Sequence, residues 1–473
     1  MAVTLRASKE GLQKIDAARK KKGWNKTEGA WCGLALTSQA TLKRFWRSLP
    51  IERDTFIGIC ENVGINWEEI VDNTTPSPQN STVEFFAYDN VWVGREDLIA
   101  ELTTKVKESC RLLILVGISG IGKTALAEKL AVELHQEFLQ GDWSNFRQEN
   151  FDNEQETKDF RSVAIRWLKK WGESLTQDDY QDVERLLYKL VNRLRQHRYL
   201  IIIDSLENIL VGNEDEGWSD FQDELWVRFF EQFLASPECQ SRIILTSQDF
   251  PGQIPERYQN FWVSKPLTGL SKSEQLQLFE KTGLEVEENS PNLPYLQRIG
   301  NAYEGHPLAL RVIAGEIGSK PFNGNVVAYW KRYGNEFEEV EKGIEEAKSK
   351  RITGADDRFL LDRYTRMLRK KVKSRLDKTF FRLRKDALNA YRLICVSAIY
   401  RCEVPESFWL KLLKNWQCDE EQQEVALQTL HDRFLVEVEE RVDENSGEFL
   451  LRQHNLIRSV SLEHLKKLDE ENG

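Results

Sequence analysis

The chain has 473 residues, 40% hydrophobic and 30% charged, with a formal net charge of −10. That length supports several compact domains, and the composition excludes disordered, collagenous and disulfide-stapled classes. No apolar run approaches the roughly 18 residues of a membrane span, no signal-peptide core opens the chain, and the seven cysteines form no C-x-x-C pair. The expectation is a cytoplasmic protein with reduced cysteines and no membrane partner.

The charge is uneven. Residues 1–60 hold twelve Lys/Arg against five Asp/Glu, a net +7, so the remainder carries −17. A basic head on an acidic body predicts a separate module with an anionic partner. Helical spacing covers 8–21, 28–36, 38–47 and 53–63, with Ser38 as an N-cap, and a further helix begins over 67–71. Short helices around GLALTSQATLKRFW resemble the helix-turn-helix of the repressor-like family, whose second helix enters the major groove. That resemblance implies that Ser38, Gln39, Thr41, Lys43 and Arg44 face DNA, while Leu42 and Phe45 hold the fold. An adaptor that binds another protein would use the same helices. The head is taken as 1–72, followed by a polar linker over 73–84 that includes NTTPSPQNST.

The next domain, 85–265, opens with Val93-Gly94-Arg95-Glu96 and a helix over 97–107. An apolar run at 112–116 predicts a buried strand. It leads into GISGIGKT, residues 117–124, which fits G-x-x-x-x-G-K-[ST], and helical spacing resumes over 125–134. Strand, glycine loop and helix in that order point to a P-loop. Its backbone N–H groups and the helix N-terminus would cradle phosphates. Lys123 would reach the β- and γ-phosphates, and Thr124 would hold Mg²⁺.

A second apolar run, 199–203, ends in Asp204-Ser205-Leu206-Glu207. An acid closing a central strand suits a Walker B site, with Asp204 on Mg²⁺ and Glu207 orienting the attacking water. A third strand, 242–246, ends in Ser247-Gln248, polar groups placed to sense a γ-phosphate. A weaker strand is expected over 141–147, with Arg147 near the crevice. From Ser271 the pattern turns helical, with Glu304-Gly305-His306-Pro307 as a turn before another helix. Helices over 326–350 and 359–375 complete a lid domain, 266–375. Helices and a two-stranded ribbon over 376–473 suggest a winged helix.

Taken together, Val93-Gly94-Arg95-Glu96, GISGIGKT, IIIDSLEN, SRIILTS, Gly305-His306-Pro307-Leu308 and Gln453-His454-Asn455 resemble the NB-ARC branch of the STAND ATPases in its compact bacterial form. The resemblance implies a multidomain fold: an α/β P-loop core with a parallel, Rossmann-like sheet, an all-α head, a helical lid and a C-terminal winged helix. It implies an ATP/ADP switch using Mg²⁺, closed with ADP, forming a homo-oligomer with ATP and reset by slow hydrolysis. Lys123, Asp204 and Glu207 would be catalytic. Val93, Arg95, Gly117, Gly120, Ile121, Gly122, Lys123, Thr124, Ala125, Gln248, Pro307 and His454 would hold the nucleotide. In this chain Gln248 replaces the family's arginine after the third strand, and Asn455 replaces an aspartate. Two other functions fit the same landmarks: a DNA-binding regulator gated by nucleotide, and a scaffold that scarcely hydrolyses.

Overall fold

A computed structural model describes residues 4–24, 26, 29–35, 37, 39–46, 51–72, 85, 92–152, 157–213, 218–236, 238–287, 289–349, 363–442 and 448–472. The chain divides into two compact units, Met1–Thr82 and Val83–Gly473. Among the described residues no helix is long and apolar enough to cross a membrane.

In the first unit, helices Lys9–Lys21, Gly29–Leu34, Gln39–Trp46 and Arg53–Asn62 surround a core that includes Ile15, Trp31, Leu42, Phe45, Phe56 and Ile59. The expected packing roles of Leu42 and Phe45 are those observed. Ser8 caps the first helix by accepting from Gly11 N at 3.0 Å, and the Trp31 indole N–H reaches Ile59 O at 3.1 Å. The helix expected to begin at 67 is only a 3-10 turn, Trp67–Glu69, after which Val71 bridges to Ala7. The proposed cap Ser38 and the linker 73–84 lie outside the described residues.

The second unit is built on five parallel strands: β1 (Leu112–Val116), β2 (Phe146–Asn150), β3 (Leu200–Asp204), β4 (Arg242–Ser247) and β5 (Trp262–Pro266). Their order is β2-β3-β4-β1-β5. The central residues of the inner strands are apolar because helices cover both faces. Leu113, Leu115, Ile202 and Ile244 pack with Leu126 and Leu130 on one side. Leu112, Ile114, Ile201, Ile203 and Leu245 meet Trp167, Phe229 and Phe230 on the other. The weak strand expected at 141–147 starts later, at Phe146. Its C-terminal end is Asn150, so Arg147 sits mid-strand opposite Ile201 rather than at the crevice. Segments 151–198 and 209–240, for which no elements were expected, contain helices Phe160–Lys170, Val183–Gln196 and Glu224–Ala235. They also contain an antiparallel hairpin, Leu210–Asn213 with Trp218–Phe221.

Beyond the sheet, helices Lys272–Lys281, Leu293–Ala302, Pro307–Gly318 and Val326–Ser349 pack together. The boundary expected between 375 and 376 falls inside one continuous helix, Arg363–Asp386. That helix is fastened to the Pro307–Gly318 helix through a buried carboxylate. Glu316 accepts from Thr379 Oγ1 at 2.6 Å, Tyr329 OH at 2.8 Å and Arg382 Nη1 at 2.6 Å, and also pairs with Arg375. Burial alone would raise the Glu316 pKa, but the two guanidiniums more than offset it and hold the carboxyl well below the usual range. The last segment contains helices Leu388–Val396, Glu406–Leu412 and Glu420–Asp432, then Asn455–Asn472. Its sheet has three strands rather than two, with Phe449–Arg452 between Val404–Pro405 and Glu437–Val442.

Candidate functional site

A cleft lies at the C-terminal ends of the strands, where open parallel sheets place their ligands. The P-loop forms its floor. Gly120 (φ +80°) and Gly122 (φ +94°) adopt left-handed backbone that a side chain would strain. Lys123 is buried, and its Nζ donates to Gly117 O at 2.7 Å and Ile118 O at 3.3 Å. Burial pushes the Lys123 ammonium pKa down, while the carboxylates of Glu207 and Asp204 act against that shift. A buried cation on a glycine cradle with acids facing it suits a phosphate chain with its metal.

Asp204 closes β3 and is gripped from two elements. Thr124 Oγ1 donates to its Oδ1 at 2.7 Å, and Thr246 Oγ1, from β4, donates to the same oxygen at 2.5 Å. Thr246 Oγ1 in turn accepts from Ser205 N at 3.0 Å, which holds Ser205 at φ +62°. The P-loop strand and the acid strand flank β4, and two threonines, one on the P-loop helix and one on β4, hold the acid. Thr124 and Asp204, 2.7 Å apart, would be the residues to hold Mg²⁺ beside a bound phosphate chain.

The walls come from distant parts of the chain. Arg95 begins its helix in left-handed conformation and donates from Nη2 to Ile121 O at 2.7 Å and Thr268 O at 3.1 Å. Burial lowers its pKa to about 10, still far above neutrality, with Glu274 opposing the shift. His306 caps the Pro307–Gly318 helix, its Nδ1 accepting from Ala309 N at 3.3 Å. That leaves Nε2 as the protonated nitrogen, 3.0 Å from Ser119 O. Leu308 N donates to Gly120 O at 3.3 Å. The P-loop tip is therefore fixed to this helix at two successive carbonyls.

Residues 91–233 match the AAA ATPase domain model. The chain thus carries a P-loop nucleotide-binding domain of that type. It is also 28% identical, over 358 residues, to an uncharacterized WD repeat-containing protein of Nostoc sp., covering 67% of this chain and 28% of that one. Among solved structures it resembles a Signal Transduction ATPase with Numerous Domains protein with a tetratricopeptide repeat sensor from Pyrococcus horikoshii. The identity there is 16% and the TM-score 0.47, covering 82% of this chain and 44% of that chain. The ORC2 protein of Aeropyrum pernix is similar at 13% identity and a TM-score of 0.32, covering 81% and 98%. The chain spans 28% of the length of the Nostoc protein and 44% of the Pyrococcus one.

Within the ATPase domain and its walls, Lys123, Asp204 and Glu207 all line the cleft. So do Val93, Arg95, Gly120, Ile121, Gly122, Thr124, Ala125, Pro307 and His454. Two expected residues do not. Gly117 lies beneath the loop, donating its N–H to Ser247 O at 3.2 Å. Gln248, expected to face a γ-phosphate, instead turns onto Glu207, with its N–H 3.2 Å from Oε2 and its Nε2 2.9 Å from Oε1. Its side chain finds a carboxylate acceptor within reach.

Several cleft residues escaped the sequence reading. Trp92, Leu270, Leu278 and Leu308 add an apolar wall suited to a flat base. Arg311 follows Pro307 by one helical turn on the same face. Glu437 and Arg452, paired at 2.8 Å across neighbouring strands, face the cleft from the C-terminal segment. The i, i+4 spacing from Pro307 would have found Arg311; nothing local marks Glu437 or Arg452.

Proposed function

We propose that the chain is a nucleotide-operated switch of the STAND type, closed with ADP, assembling with ATP and reset by slow hydrolysis. The observation that carries this reading is that His454, from the far end of the chain, lines the same cleft as Lys123. Its Nδ1 accepts from Leu456 N at 3.1 Å, which leaves Nε2 as the donor. Burial lowers its pKa, so the ring is a neutral donor at neutral pH, suited to a phosphate oxygen. Arg452, Gln453 and Asn455 line the cleft beside it. A ligand filling this cleft would touch the P-loop, the lid helix and the C-terminal segment at once. The helix–strand order of that segment, with Phe449–Arg452 as its middle strand, suits a winged helix.

In this reading Lys123 binds phosphates, Thr124 and Asp204 hold Mg²⁺, Glu207 orients water, and Pro307 packs against the base. The experiment is to identify the nucleotide carried by purified protein and to measure its mass and turnover with ADP and with ATP. Bound ADP, slow turnover and a larger assembly with ATP are expected. One mass in both states, without turnover, would favour the scaffold. A DNA-binding role has its own support in the +7 charge of residues 1–60 and in the separate core of the Met1–Thr82 unit.

A further inference from the structure

Three features converge on the end of β4. The Glu207 carboxylate lines the cleft, whereas Gln248 stands behind it and donates to both of its oxygens, from N at 3.2 Å and from Nε2 at 2.9 Å. The Gln248 Oε1 is buried and makes no hydrogen bond among the described residues, so among them the carboxylate sets the amide's orientation. Finally, the backbone around both residues is stapled together. The hairpin that begins at Leu210 returns to the loop after β4 through Gly252 N to Ser219 O at 2.9 Å and Phe221 N to Gln253 Oε1 at 2.8 Å.

We infer that Gln248 is a positioning residue that acts through Glu207, aiming its carboxylate at the attacking water, and is not a sensor that touches the γ-phosphate. Each carboxylate oxygen has two acceptor sites. Accepting one N–H from behind leaves the other directed into the cleft, and two donors from one residue fix the plane of the group. Free rotation of an untethered glutamate would spread its oxygens over many orientations, which is what positioning removes. The hairpin, fastened on one side to the Glu207 turn and on the other to the loop after Gln248, holds the two residues at hydrogen-bonding separation.

This inference rests on the hydrolysis assigned above, and a double-mutant cycle separates the two. Gln248→Ala should lower kcat by roughly tenfold or more while changing the ATP dissociation constant less than twofold. Glu207→Gln should lower kcat further, and the double variant should turn over no more slowly than Glu207→Gln alone, because a residue acting through another has nothing left to position. A second readout needs no nucleotide. In nucleotide-free protein, the losses in unfolding midpoint from Gln248→Ala and Glu207→Ala should be non-additive. Wild-type turnover with an unchanged Gln248→Ala, or losses that multiply in the double variant, would overturn the inference alone. A weakened ATP affinity with unchanged kcat would return Gln248 to phosphate sensing. No turnover in the wild-type protein would overturn the hydrolysis reading and this inference with it.

Discussion

A Cβ added to Gly315 would stand 2.6 Å from the Cα of Arg433. The Pro307–Gly318 helix and the end of the Glu420–Asp432 helix therefore meet backbone to backbone, with only a hydrogen atom's room between them. Gly315→Val should wedge this seam apart, at the ~1–3 kcal/mol typical of overpacking. ADP should then leave at least fivefold faster, measured by displacement of a fluorescent analogue, with helix content unchanged. Equal off-rates would mean that the seam does not hold the nucleotide.

Lys123→Ala removes the buried ammonium at the loop floor. Charge-assisted contacts of this kind contribute about 1.5–3 kcal/mol. Nucleotide affinity should fall by roughly tenfold to a hundredfold in titration calorimetry while the fold persists.

His454→Ala removes one neutral donor, worth about 1–3 kcal/mol. Driving a two-state switch from 1:99 to 99:1 takes roughly 5.5 kcal/mol. Faster ADP release with only partial opening is expected, the latter read as a modest increase in radius of gyration. Identical off-rates would leave His454 a packing residue.

His306 gives the fold a pH dependence whose sign can be worked out. Burial drives its pKa down to about 3, against the hydrogen bond to Ser119, from the ~6.5 of an unfolded chain. Between those values the unfolded state binds the extra proton, so stability rises with pH. The contribution is complete above about pH 6.5 and is lost as pH falls, by about 1.4 kcal/mol per unit. His306→Asn keeps a capping oxygen and an N–H donor but cannot titrate. Its unfolding midpoint should fall less steeply than the wild type's between pH 6.5 and 5.

For the head, Lys43→Ala with Arg44→Ala in the intact protein should reduce the slope of log affinity for duplex DNA against log salt by about 2, if both contact phosphate. No DNA binding at low salt, with or without ATP, would point instead to a protein partner.

The positions of the three inner strands were legible because their signals are local. The runs at 112–116, 199–203 and 242–246 are each followed by polar or glycine-rich residues that mark where they stop, and β1, β3 and β4 match them within a residue. Thr124 and Asp204, each marked by its own local pattern, lie 2.7 Å apart at the strand ends. What stayed hidden depends on tertiary proximity. Whether Gln248 faces a phosphate or Glu207 is decided by which acceptor lies within reach of its side chain. Glu437 and Arg452 reach the cleft only because a sheet far along the sequence is packed there. The Val183–Gln196 helix is amphipathic, with Leu186, Leu187, Leu190 and Leu194 inward, yet no motif drew attention to it. The helix runs unbroken across 375, and no local feature of its sequence marks which core each of its turns joins.

The buried carboxylate of Glu316 constrains how the lid and the C-terminal segment can part. Pulling the Arg363–Asp386 helix away would strand that charge without Arg375, Thr379 and Arg382, and breaking a buried ion pair costs on the order of 3–5 kcal/mol. The same helix packs Leu376, Phe380 and Leu383 into the C-terminal core, so it belongs to both bodies at once. In the proposed switch, separation would have to break one of these attachments as well as open the Gly315–Arg433 seam.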